Sequence, residues 1–339
     1  MDEYLFRPEV VRVALVAGVA ISMLFYERVQ LTTGGAIVPA YLALHLPVPL
    51  YIVSTLATGY ATYLLVNIML ARRIILYGRR KFEVEILVGL TLITLASIIG
   101  NALGALDPVL LGLSGIGFLV PGILAHDMAR QRPGKTVLAV LATTLLLGLF
   151  IYVYAALLAI APFATQPAPP LSTVVGYPRG LLFFAVATSV GIGMLLLARL
   201  GLRSGGFITG AYLALVAPRW PDLIFAFTAA GVTWFIVVRL LMPRLLLFGR
   251  RKLSTMVLVG AIVAWSAEIA VTEITGGDYV PWRGLTVVTL MVPALLANDA
   301  QRQGWEKTIW GASLTAIGVF AAMNLLAATG MSTEILSGR

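Results

Sequence analysis

The sequence predicts an all-α polytopic membrane protein made of two tandem homologous halves. Three observations carry that prediction. Apolar residues make up 60% of the chain and charged residues 12%, with a mean hydropathy of +0.96, a balance that soluble domains do not show. Long apolar runs, each sufficient to cross about 30 Å of hydrocarbon, recur along the whole length. The chain also repeats itself: LYGRRKF at 76–82 returns as LFGRRKL at 247–253, and GGAIVPAYLAL at 34–44 as GGFITGAYLAL at 205–215. A third block, VPGILAHDMARQRPGKT at 120–136, returns one residue out of register as VPALLANDAQRQGWEKT at 292–308. Three blocks at nearly one offset are a duplication, and a repeat fixes architecture before any local pattern does.

The long apolar runs lie near 10–26, 48–71, 83–103, 136–162, 180–200, 221–242, 253–273 and 308–328. The first lacks a basic leader and a small-residue cleavage pattern, so it reads as a retained span. Four shorter apolar stretches, at about 34–46, 108–125, 205–217 and 284–298, are interrupted by glycine or proline. Each half therefore has four long and two short membrane segments. The domains are expected at 1–162 and 180–339, joined by a proline-rich linker at 163–179 that suits an extended surface segment.

The most basic loops are Arg72 to Lys81 and Arg239 to Lys252, followed by 126–135 and 299–307. Cations of this kind mark the cytoplasmic side. All these loops share that side only if the short stretches also cross, which predicts twelve crossings with both termini outside; re-entrant stretches would leave eight. IVPAYLAL at 37–44 resembles LVPGILAH at 119–126, so each half reads as two three-segment units in inverted 3+3 order. Short Gly/Pro-broken segments at corresponding places are the sequence mark of a transport pathway, because lipid cannot satisfy a freed backbone group. The candidate pathway residues are Gly35, Pro39, Tyr41, Pro121, Gly122, Gly206, Gly210, Tyr212 and Pro293. A proline kink absorbed by packing is the plain alternative.

Candidate binding residues are the cations. Arg79, Arg80 and Lys81, with Arg250, Arg251 and Lys252, follow a glycine that can turn the chain sharply. Arg130, Lys135, Arg302 and Lys307 recur after the second short stretch. Together they suit a polyanion, a partner or anionic lipid, or they serve only as topology anchors. The net charge of +9 would point a soluble protein toward nucleic acid, but here the cations sit at the ends of apolar spans and no nucleic-acid partner is expected. Asp127 and Asp299 recur three residues before an arginine, a spacing that favours a local ion pair or a polar docking surface. Glu27 ends the first span and Ala198 replaces it in the second half, so it is a candidate cation or proton site, or a solvated helix end. The chain has no cysteine and two histidines, and His126 becomes Asn298 in the repeat, so neither a metal nor a cofactor is expected. No P-loop, GxSxG or HExxH pattern is present, which argues against an enzyme acting alone.

FYERVQLTTGGAIVPAYLAL at 25–44, ILYGRRKF at 75–82 and GIGFLVPGILAHDMARQ at 115–131 resemble the PgsC/CapC family of poly-γ-glutamate synthase membrane subunits, with each half covering one family unit. Ala40 departs from the family glycine. In the second half Thr209-Gly210 replaces Val38-Pro39. The resemblance implies a non-catalytic subunit in a prokaryotic plasma membrane, working with an ATP-dependent amide ligase and a further membrane-anchored subunit on anionic poly-γ-glutamate. A stand-alone secondary transporter for a small anion or amino acid, and a pure membrane scaffold, are the competing readings.

Overall fold

The computed structural model describes residues 6, 8–35, 37–76, 78–160, 175–283 and 285–329. The part of the expected linker at 163–174 lies outside the described residues. The fold is all-helical, with no strand among the described residues. It divides into two compact units, Met1–Gln166 and Pro167–Arg339.

The first unit holds α1 (Pro8–Val29), α2 (Val38–Leu44), α3 (Pro49–Tyr63), α4 (Gly78–Gly104), α5 (Val120–Gln131) and α6 (Pro133–Ile160). The second holds α7 (Leu182–Leu200), α8 (Thr209–Val216), α9 (Trp220–Trp234), α10 (Met242–Leu245), α11 (Gly249–Ile274), α12 (Thr286–Gln303) and α13 (Trp305–Ala328). Eight helices are long and apolar enough to cross a membrane, and they coincide with the eight long runs of the sequence. On α6, Leu138, Leu145, Leu149, Val153 and Leu157 are more than half exposed at helical spacing, the pattern of a stripe turned to hydrocarbon. After α3 and again after α9, the helix widens into a π segment, Leu64–Met69 and Phe235–Leu241. Each precedes a basic turn, where Gly78 and Gly249 take φ of +59° and +55°. That left-handed backbone costs a residue with a Cβ and explains the repeated glycine.

The short stretches are the core of each unit. Helix α2 lies against α1 and α6, and α5 against α3 and α4; α8 and α12 repeat these pairings with α7 and α13, and with α9 and α11. Leu42, Leu124, Leu215 and Leu296 are fully buried. Close approach requires small residues: a Cβ on Gly89 would come within 2.6 Å of the Gly122 nitrogen, and one on Gly122 within 2.7 Å of the Ile86 Cα. Gly210 is likewise closed in by Thr315 and Ser189. Helices α2 and α8, of seven and eight residues, are only about 10–12 Å long. A crossing at these places needs the adjoining non-helical chain as well.

Three local expectations change. Pro39 and Pro121 stand in the first turns of α2 and α5, where the missing N–H has no helical acceptor to lose; they start helices and do not break them. Pro293 sits inside the continuous 18-residue α12. The segments expected as loops at 126–135 and 299–307 are helical except at Arg132 and Gly304, where one helix hands over to the next. Gly89→Val should therefore cost roughly 1–3 kcal/mol by overpacking, read as a lower unfolding temperature in detergent. Gly191→Ala on α7, with nothing near its Cβ, should leave that temperature unchanged or raise it.

Candidate functional site

In each unit the cations collect where an α1-type helix ends and an α5-type helix meets the next. The chain at 30–35 and 202–208 is non-helical, and its turn places Gly34 and Gly35 at φ +77° and +86°, Gly205 and Gly206 at +78° and +103°. No side chain caps α2 or α8. The loop donors are met instead by α5 and α12. The Gly34 N–H donates to Asp127 Oδ2 at 3.1 Å, and the Gly205 N–H donates to Asp299 Oδ2 at 3.1 Å. Gln131 Oε1 accepts from the Thr32 N–H at 2.7 Å, while its amide donates to the Thr32 carbonyl at 2.6 Å and to Thr136 Oγ1 at 3.0 Å. Gln303 does the same with the Arg203 N–H, the Arg203 carbonyl and Thr308 Oγ1, at 2.8, 2.9 and 3.0 Å.

This clamp is present twice, atom for atom. It assigns Asp127 and Asp299, 2% and 5% exposed, to holding the glycine turn; neither forms part of a docking surface. A buried carboxylate accepting a backbone N–H is a strong, charge-assisted contact.

Beside the clamp the units differ. In the first, Glu85 on α4 is fully buried. His126 Nδ1 donates to Glu85 Oε2 at 2.7 Å, Asn67 on the π segment donates to Oε1 at 3.0 Å, and Lys81 Nζ stands 3.9 Å away. Glu83 pairs with Arg79 at 2.8 Å. In the second unit Met256 and Ser254 replace Glu85 and Glu83, and Asn298 replaces His126. There Lys252, 9% exposed, donates to Gln301 Oε1, and Arg203 Nη1 lies 3.9 Å from Asp299 Oδ1.

The other end of the second unit carries its own cluster. Fully buried Asp222 accepts on Oδ1 from the Tyr279 hydroxyl at 2.7 Å and the Trp282 N–H at 3.1 Å. Arg219 Nε is 3.2 Å from Oδ2. Burial and the bond to Asp222 push the Tyr279 hydroxyl well above the usual tyrosine range. Tyr51 occupies the corresponding position in the first unit, so this tie belongs to one half only.

Of the predicted cations, Arg80, Arg130, Lys135, Arg251, Arg302 and Lys307 are exposed; Arg79, Lys81 and Arg250 are half-buried and Lys252 is buried. Glu27 is half-buried at the end of α1, and its carbonyl accepts from Gln30. Of the predicted pathway residues, Pro39, Pro121, Gly122, Gly206, Gly210, Tyr212 and Pro293 are buried or half-buried within their units. Gly35 adjoins the clamped Gly34, and the Tyr41 carbonyl accepts from His45 Nδ1 at 2.8 Å. No cluster of metal-ligating side chains occurs among the described residues. The sequence reading missed Glu83 and Glu85. Their signal was two carboxylates, each four residues after a cation, at the start of an apolar span.

Comparison with known proteins gives this duplicated geometry a family. The family model described as capsule biosynthesis CapC matches residues 17–137 and again 188–309, one match in each unit. The chain belongs to the CapC capsule biosynthesis family. It is a tandem duplication of the CapC unit. The capsule biosynthesis protein CapC of Bacillus anthracis is 35% identical over 136 residues, covering 40% of this chain and 87% of the relative. The PGA biosynthesis protein CapC of Bacillus subtilis is 34% identical over 137 residues, with the same coverage. No solved structure matches the chain.

The clamp sets a measurable cost. Asp127→Ala leaves the Gly34 N–H without its acceptor, which costs about 1–3 kcal/mol, and Asp299→Ala does the same for Gly205. Each variant should unfold at lower temperature and be cut by protease within 30–37 or 202–208 faster than the parent chain.

Proposed function

We propose that the chain is a non-catalytic membrane subunit of a capsule-polymer machine that makes and exports poly-γ-glutamate. The observation that carries the reading is the CapC match in both halves, together with relatives named for capsule and PGA biosynthesis. The clustered cations support it, since a polymer with one carboxylate per residue is attracted to a focused positive field. In this reading an ATP-dependent amide ligase supplies the chemistry and a further membrane-anchored subunit completes the assembly. The basic ends face the cytoplasm of a prokaryotic cell and also engage anionic lipid. Arg79, Arg80, Lys81, Arg130, Lys135, Arg250, Arg251, Lys252, Arg302 and Lys307 receive the ligase or the growing chain.

The inverted 3+3 arrangement belongs to the same proposal. It is supported by the exchange of contacts between α2 with α1 and α6, and α5 with α4 and α3. Because the short helices are packed against their neighbours, passage along Pro39, Tyr41, Pro121 and Gly122, or their second-half counterparts, requires the helices to part. Reversing the charge of Arg80, Arg251, Arg302 and Lys307, all exposed, should abolish polymer output while the protein still inserts in the membrane. Polymer assayed on cells that retain normal levels of the variant decides the matter; unchanged output rejects the reading. Ion-driven uptake by the purified protein alone would instead identify a secondary transporter.

A further inference from the structure

The two copies of the clamp are alike in backbone and unlike in charge. Around the second clamp stand three cations, Lys252, Arg203 and Arg302, and one carboxylate, Asp299. Arg203 reaches Asp299 at 3.9 Å, and Arg302 and Arg203 both lie within electrostatic reach of the Lys252 ammonium. The equivalent positions of the first unit hold two cations, Lys81 and Arg130, against two carboxylates, Asp127 and Glu85. Thr32 stands where the second unit has Arg203, and Glu85 where it has Met256. Ala129 stands where it has Gln301. The first site is therefore balanced, with Lys81 turned to Glu85. Counting the second lysine itself, the group there is three cations and one carboxylate, and that lysine donates to a neutral amide.

The three cations also lie at graded depth. Lys252 is 9% exposed, the Arg203 side chain is 27% exposed, and Arg302 is exposed. A partly desolvated group of cations with two guanidinium forks is suited to carboxylate or phosphate oxygens. Two neighbouring carboxylates of one chain would neutralise the excess.

We infer that the second unit carries an anion site, formed by Lys252, Arg203 and Arg302, which holds carboxylates of a γ-linked polyglutamate chain, and that the first unit does not. The identity of the polymer rests on the proposed function; the charge asymmetry does not. A headgroup phosphate presents the same oxygen chemistry, so the experiment separates the two sources.

The full chain is placed in nanodiscs of zwitterionic phosphatidylcholine, and binding of a fluorescent γ-glutamyl pentamer is read by anisotropy. One site per chain is expected, weakened about tenfold by Arg302→Gln and further by adding Arg203→Thr, the scale of one charge-assisted hydrogen bond each. Arg302 is at the surface, so that variant keeps its fold; Thr32→Arg combined with Glu85→Met, His126→Asn and Asn67→Val should create a second site in the first unit. Two equal sites in the parent chain, or unchanged affinity in Arg302→Gln and in the double variant, overturns the inference. Absence of pentamer binding, with stabilisation by phosphatidylglycerol discs that the variants lose, assigns the site to lipid and overturns the polymer. Loss of capsule output on charge reversal, with pentamer binding unaltered by Arg302→Gln and Arg203→Thr, removes this inference and leaves the broader role standing.

Discussion

Backbone donors that water cannot reach set the terms for this fold. A membrane helix satisfies its own peptide groups, and a break in one does not. The chain breaks its helices at 30–35 and 202–208, and there the Thr32, Gly34, Arg203 and Gly205 N–H groups all turn to side chains that arrive nearly a hundred residues later. An aspartate and a glutamine four residues apart on one helix face supply both acceptors. The consequence extends beyond the loop. Fixing the α1–α2 junction to the α5–α6 junction brings the remaining basic ends of the unit to one place, since Glu85 and Asn67 tie α4 and the end of α3 to the same α5. The positive charge is therefore concentrated by hydrogen bonds that involve no cation side chain.

Duplication then freed the surroundings of the clamp to diverge. A buried carboxylate in an apolar protein is costly unless it is well bonded, and Glu85 is held by a histidine, an amide and a lysine. The second unit dispenses with it through a coordinated exchange: methionine for the glutamate, asparagine for the histidine and valine for Asn67. Losing the acid alone would strand its donors, which explains why all three changed together. At the far end the balance reverses, with Asp222 tying Tyr279 and Trp282 in the second unit only.

Much of this was legible in the residues. Eight long apolar runs became eight helices of membrane-crossing length, because hydrophobic length is a property of the chain alone. The duplication is fixed by repeated words. Asp127, Gln131, Asp299 and Gln303 were visible as recurring residues, but their role was not, since their partners lie across the fold and are backbone atoms that carry no sequence signature. Local rules suggested an Asp-to-Arg pair one turn along and could not show that the glycine turn also donates to each carboxylate. The prolines misled for a related reason. A proline in an apolar stretch reads the same whether it starts a helix, as Pro39 and Pro121 do, or sits inside one, as Pro293 does. Glu85 escaped notice because the first unit alone retains it, and attention to shared residues passes over what one copy keeps.

The different places of the two prolines give the halves different mechanics. In the second unit α12 runs unbroken for 18 residues, about 27 Å, so Thr286 and the clamping Gln303 are the two ends of one helix. In the first unit the chain enters α5 through Gly115 and Gly117, both at positive φ. The approach to Asp127 is therefore jointed where the approach to Asp299 is a single rod.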